Sequence, residues 1–287
     1  SSFVRHKIDL PDTPREKHPQ NLPRSASYIF LVLISVTSLF AQNANKGKSH
    51  FLRGEYAKAV EALEGYRHSV ESLVYFSTAL EANGDYKRAA SVIKETRNWD
   101  SYLPLLNRIG ELELAKANYE EARELFERAF ERDSTYLESR LNLGLLVGLW
   151  GEKERANNLL QHFVDLYKIT PYPDSRLSAL TASACIYLNR FEDANDLFND
   201  ASKQIKDDWR IFEKWGYLFL GKYNFADARQ TFKDALKLNE NAVGSIIGLA
   251  RVGEQSPDME TPMLIEKLLE QHEKRIDVTT YAAHWYT

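Results

Sequence analysis

Between Gly47 and Gln271 the apolar positions keep helical spacing, and alternating apolar strand patterns are absent. A small alanine recurs with a large apolar residue four positions on: Ala59 and Leu63, Ala89 and Ile93, Ala122 and Phe126, Ala156 and Leu160, Ala194 and Phe198, Ala228 and Phe232. A second small residue often follows three positions later, at Ala129, Ala201 and Ala235. Spacings of four and three put all of these on one helical face. Each such helix follows another with a complementary pattern, an apolar residue beside a small one: Phe76-Ser77, Ile109-Gly110, Leu143-Gly144, Trp215-Gly216 and Ile247-Gly248. The small residue stands twelve positions before the packing alanine in the first four of these, and Gly47 and Ala182 keep the same distance from Ala59 and Ala194. Glycine inside a helix costs about 1 kcal/mol against alanine. Its recurrence at one phase predicts helices that approach too closely for a side chain.

The two helices of each unit are joined by a recurring phrase: Gly54-Glu-Tyr-Ala-Lys-Ala59, Gly84-Asp-Tyr-Lys-Arg-Ala89, Ala117-Asn-Tyr-Glu-Glu-Ala122, Gly151-Glu-Lys-Glu-Arg-Ala156, Asn189-Arg-Phe-Glu-Asp-Ala194 and Tyr223-Asn-Phe-Ala-Asp-Ala228. Its first residue ends a helix where a left-handed backbone is needed. The aromatic is expected to pack beneath the turn, and the alanine to sit where the paired helix crosses. Successive alanines are 30, 33, 34, 38 and 34 residues apart. Phrase and period resemble the tetratricopeptide repeat.

The resemblance implies an all-α fold: an α-solenoid of stacked antiparallel helix pairs wound into a right-handed superhelix. Six regular pairs are expected from about Ala44 to about Lys237, and a seventh, irregular one from Asn241 to about Lys274, giving a repeat domain over 44–274. Thr170-Pro-Tyr-Pro-Asp174 reads as a lengthened loop that accounts for the 38-residue interval, and Ser256-Pro-Asp-Met-Glu-Thr-Pro262 stretches the turn of the seventh pair. Residues 275–287 read as the start of a further helix or of a next domain.

Residues 1–25 are polar and irregular, with prolines at 11, 14, 19 and 23, and read as a disordered extension. Arg24 then precedes an apolar run over 26–41 that ends in Ala41, the layout of a secretory signal peptide cleaved before Gln42. The run is shorter than the roughly 20 residues of a spanning helix. A periplasmic or secreted protein is expected, with a membrane tether through an uncleaved Ala26–Ala41 segment as the alternative. The ending Ser-Leu-Phe-Ala-Gln resembles bacterial export signals.

The net charge of -4 excludes the basic surface that nucleic acid requires. One cysteine, Cys185, excludes an intramolecular disulfide and a four-cysteine zinc site, and its place on the inner face of a first helix reads as a buried thiol. Chemical motifs fail on inspection. Gly47-Lys48-Ser49 resembles the end of a phosphate loop, but Gln42 replaces the leading glycine and no strand precedes it. His272-Glu273 lacks the second histidine of a zinc-protease helix, and His162 and His272 read as helix-surface residues. Gly144, Gly148 and Gly151 lack dinucleotide-loop spacing. No catalytic group, metal or cofactor is expected.

In the repeat family the first helices line a concave wall that binds extended peptides or partner helices. Carried onto this chain, that wall presents Asn107, Arg108 and Glu111 from the third pair, Asn142 and Leu145 from the fourth, Arg176 and Ser183 from the fifth, and Arg210, Lys214 and Tyr217 from the sixth. Arg176, Arg210 and Lys214 form a basic stripe suited to an acidic or carboxylate-ended segment. Leu141 and Leu180 stand where the carboxylate clamp of chaperone-binding members needs lysine and asparagine, so chaperone tails are not the expected partner. The expected function is a non-catalytic exported scaffold. The alternative is the adaptor region of a larger exported enzyme, such as a hydrolase, with its catalytic domain beyond residue 287.

Overall fold

The computed structural model describes residues 44–67, 69–255 and 260–285, all within one compact unit, Gln42–Thr287. The extension over 1–25, the apolar segment 26–41 and most of the turn before α14 lie outside the described residues. Among the described residues every regular element is helical. The first pair is α1 (44–52) with α2 (Tyr56–Glu64), followed by α3 (Val70–Ala82) with α4 (Tyr86–Lys94) and α5 (Leu103–Ala115) with α6 (Tyr119–Arg132). Next come α7 (Leu137–Leu149) with α8 (Lys153–Ile169), α9 (Ser175–Tyr187) with α10 (Phe191–Gln204) and α11 (Trp209–Gly221) with α12 (Phe225–Leu238). The seventh pair is α13 (Val243–Gln255) with α14 (Glu260–His272), and α15 (Ile276–Trp285) follows. From α3 to α14 each helix packs on its partner, Gly47 of α1 approaches Leu63 of α2, and each second helix from α2 onward packs on the first helix of the next pair, as expected of an α-solenoid.

All six phrase alanines, from Ala59 to Ala228, are fully buried. A Cβ added at Gly47, Gly110, Gly144 or Gly216 would lie 2.4, 2.5, 2.8 or 2.6 Å from Leu63, Phe126, Leu160 or Phe232. In these four pairs the glycine of the first helix therefore faces the large residue four positions past the alanine of the second. Burying such a large side chain contributes about 1.5–3 kcal/mol, and at these four glycines the contact leaves no room for a Cβ. Every residue that opens a phrase has positive φ: Gly54, Gly84, Ala117, Gly151, Asn189 and Tyr223, at 74°, 80°, 63°, 85°, 57° and 59°.

Two local expectations are corrected. The 38-residue interval owes little to its loop: α8 has 17 residues against 14 in α6, because Phe163 and Val164 are buried and prolong its apolar face. The phrase aromatic also does not pack beneath every turn. Tyr56 is 5% exposed, but Tyr119 in the equivalent place is 46% exposed. The difference lies in what covers them. Tyr56 is covered by residues from the sixth and seventh pairs.

That cover exists because the stack returns to its own beginning. Phe51, Tyr56 and Ala59 share a buried cluster with Trp209, Ala235 and Ala242. The Asn239 side-chain amide donates to the Tyr56 hydroxyl at 2.9 Å, which donates in turn to the Asn241 carbonyl at 3.3 Å. The Asn241 side chain donates to the Gly54 carbonyl at 3.2 Å. One pair along, the Ile276 amide donates to the Tyr86 hydroxyl at 3.2 Å. Gly54 and Gly84 stand at these junctions. A Cβ on Gly54 would lie 1.9 Å from the Asn239 amide oxygen, and one on Gly84 2.5 Å from Lys274. The free face of α13 is covered by α15, whose Val278 and Tyr281 join Ile246, Ile265 and Leu268.

Candidate functional site

Close to this junction, residues of several first helices line a cavity of about 690 Å3. Lys48 and Leu52 of α1 line one side of it, Tyr75 of α3 and Glu138 of α7 contribute, and Arg176, Arg210, Ile211 and Lys214 line the side formed by α9 and α11. Local capping sets the two arginines. Asp174 accepts the Leu177 amide at 2.7 Å and starts α9, with Arg176 in its first turn. Asp208 accepts the Arg210 amide at 3.1 Å and starts α11.

The three cations of the expected stripe thus meet one space, but they are not equivalent. Arg176 donates from Nε to Glu138 at 2.6 Å and again from Nη2, a two-pronged pair. Arg210 makes the same fork with Asp208, at 2.8 and 2.6 Å, and its guanidinium lies 5.8 Å from the centre of the Phe51 ring. Burial opposes the Arg210 charge, yet Asp208 outweighs it and holds the pKa above its ordinary value. Lys214 is different. Burial among the surrounding helices, then Arg210, push its ammonium pKa down, and among the described residues no carboxylate stands within ion-pair distance. Its side chain is nonetheless exposed, because the protein around it encloses a water-accessible space rather than packing against it.

The other expected wall residues have structural roles. Arg108 is buried and joins Glu81, Glu111 at 3.1 Å and the Ser77 hydroxyl at 3.2 Å. Asn107 is buried too. It donates to Glu111 at 2.9 Å and accepts from Ser139 at 3.0 Å and Asn142 at 3.1 Å. These groups form a polar ladder across α3, α5 and α7. Leu145 packs with Leu141, Leu160 and Phe163, and the Ser183 hydroxyl donates to the Ala179 carbonyl at 3.0 Å within its own helix. Tyr217 faces α13: its hydroxyl donates to the Gly244 carbonyl at 2.7 Å and its ring meets Phe232 edge-on at 5.0 Å.

Leu52, Tyr75, Glu138 and Asp208 were not singled out from the sequence, and Lys48 entered there only in the rejected phosphate-loop motif. The cavity joins helices more than 160 positions apart, and a repeat period says nothing about contacts between its ends. Lys48 lies on helix α1, not on a phosphate loop. Trp209 is buried in the junction, and its indole nitrogen has no partner among the described residues. Cys185 is buried, and burial pushes its thiol pKa up to about 11. His162 and His272 are both half-buried, with pKa values lowered chiefly by that burial.

No family model and no curated protein sequence matches the chain. Solved structures do. A tetratricopeptide repeat protein from Parabacteroides merdae is 12% identical with a TM-score of 0.50, over 86% of this chain and 98% of that one. A tetratricopeptide protein from Thermus thermophilus is 20% identical with a TM-score of 0.52, over 65% of this chain and all of that one. The APC/C Cut9–Hcn1 hetero-tetramer matches at 13% identity and a TM-score of 0.53, over 84% of this chain and 48% of that one. At these identities the likeness is one of fold, and the fold is the α-solenoid of the tetratricopeptide repeat proteins.

Proposed function

We propose that the chain is a non-catalytic interaction scaffold that receives a partner protein or peptide on the inner wall of its helix stack. The observation that carries this reading is the cavity between α1, α9 and α11, where Lys48, Arg176, Arg210 and Lys214 converge beside the apolar Leu52 and Ile211. A cavity of about 690 Å3 falls within the range of roughly 300–1,000 Å3 common to ligand sites. A partner that presents an acidic or carboxylate group matches its exposed ammonium. The fold-mate Cut9 functions in an assembly, the hetero-tetramer with Hcn1, which fits the same kind of role.

Export belongs to the same proposal: Arg24, the apolar run over 26–41 and Ala41 support a chain that begins at Gln42 outside the cytoplasm. N-terminal sequencing from the native host tests this, and a retained Tyr28–Phe40 segment would favour a tether. The scaffold reading is tested by affinity capture with the wild type and with Lys214→Glu. A partner held equally by a folded Lys214→Glu variant does not use this wall.

A further inference from the structure

The junction between the two ends of the stack has a regular form. The turn inside the first pair, at Gly54 and Tyr56, lies against the loop that follows the sixth pair, at Asn239 and Asn241. The turn inside the second pair, at Gly84 and Tyr86, lies against the loop that follows the seventh, at Lys274 and Ile276. One step along the turns matches one step along the loops. The stack thus has two rims, one of turns within pairs and one of loops between pairs, and the junction seats the first on the second. Elsewhere both rims carry apolar side chains in the open. Tyr119, Leu149 and Tyr223, at the turns of the third, fourth and sixth pairs, are exposed, Tyr223 to 80%. Tyr102, Ile169 and Tyr172, at the loops after the second and fourth pairs, are exposed as well, Tyr172 to 94%. Among the described residues the exposed large apolar side chains all stand on these rims, Met263 of α14 apart. Single apolar residues scattered over a surface are ordinary, but confinement to two rims is not. A Cβ on Gly151, in the fourth turn, meets nothing within 4 Å, whereas Gly54 and Gly84 abut the loops that cover them.

We infer that a second copy of this chain covers the open rims, the turn rim of one copy seated on the loop rim of the next. The contact continues in trans the seat that the first two turns take on the loops after the sixth and seventh pairs. An unrelated partner would need one apolar rim. Two open rims, of the two kinds that the junction already joins, fit a partner that carries both. The two surfaces in such a contact differ, so each seated copy still offers one free rim and the association does not close at two chains. None of the six side chains named above lines the inner cavity, so the inference does not depend on what the inner wall binds.

The test is sedimentation velocity of the full chain from about 1 to about 200 μM, the range of a transient contact. The mean mass of the wild type is expected to climb past twice that of one chain. Tyr223→Glu places a charge on the turn rim and Tyr172→Glu places one on the loop rim, where seating would bury it unpaired. Each variant alone should stay monomeric, with the circular dichroism melt of the wild type, since both positions are exposed. An equimolar mixture of the two should recover pairs and nothing larger, because one variant keeps its loop rim and the other its turn rim. A wild type that is monomeric throughout the range overturns the inference. So does association that survives both substitutions, as it would in copies that exchange their first pairs. A mixture that stays monomeric overturns it too.

Discussion

Gly54 and Gly151 occupy the same place in their phrases and both need a left-handed backbone, with φ of 74° and 85°. Replacing either by alanine costs about 1–2 kcal/mol for the backbone, with the same small offset from a stiffer unfolded chain. Here the likeness ends. A Cβ on Gly151 meets nothing within 4 Å, whereas one on Gly54 lies 1.9 Å from the Asn239 amide oxygen and 2.8 Å from its Cγ. Asn239 is 1% exposed and holds Tyr56 and the Asn241 amide, so it has little room to yield. Overpacking of this kind costs about 1–3 kcal/mol. If Asn239 instead swings aside, two hydrogen bonds go, at about 1 kcal/mol each. Gly54→Ala should therefore lose about 1–3 kcal/mol more than Gly151→Ala. Urea melts followed by far-ultraviolet circular dichroism measure the difference as a shift in midpoint. Adding Asn239→Ala should relieve part of the excess, since the two positions are in contact. Coincident midpoints for the two glycine variants would show that the first pair does not meet the sixth and seventh in solution.

Three further outcomes are expected. Ala122→Leu and Ala156→Leu, both at fully buried helix crossings, should each cost about 1–3 kcal/mol in the same melts. Cys185 should resist a thiol reagent at pH 8 in the folded chain and react once urea unfolds it, because burial raises its pKa to about 11. Burial raises the Asp208 pKa, but its pairing with Arg210 outweighs this and leaves it below the ordinary value. The stability from that pair is therefore complete above the unfolded value of about 3.9 and lost as pH falls through the lower folded value. Asp208→Asn should flatten that acid dependence in a pH series of melts.

The helix pairs were legible because their signals are local. Gly, Ala or Asn at the start of a phrase was expected to end its helix left-handed, and Tyr223 in the same place also adopts φ of 59°. The pairing of Gly110 with Phe126 and of Gly144 with Leu160 follows from spacing within one unit. That Arg176, Arg210 and Lys214 line one cavity fits their places at similar phases of neighbouring first helices. Their inequality does not follow from phase. Whether a guanidinium is already held depends on Glu138, which is 38 positions before Arg176, and on a cap at Asp208 whose second role the pattern does not reveal. Tyr56 and Tyr119 look alike in sequence and differ in exposure because only one meets a distant pair.

An open stack of helix pairs has two ends, and ends fray. In this chain the first pair is covered by residues as far as 183 positions away. Drawing such distant points together in a disordered chain costs about 4–5 kcal/mol in entropy, by the logarithmic law of loop closure. A stack that is already folded carries its two ends toward each other, and most of that cost disappears. The junction should then be the last contact to form in folding and the first to open. Hydrogen exchange at the Asn241 amide would report that opening while Phe126 and Phe163 remain packed. Excising the first pair would leave a bracelet without its clasp, with the other helices still stacked in order.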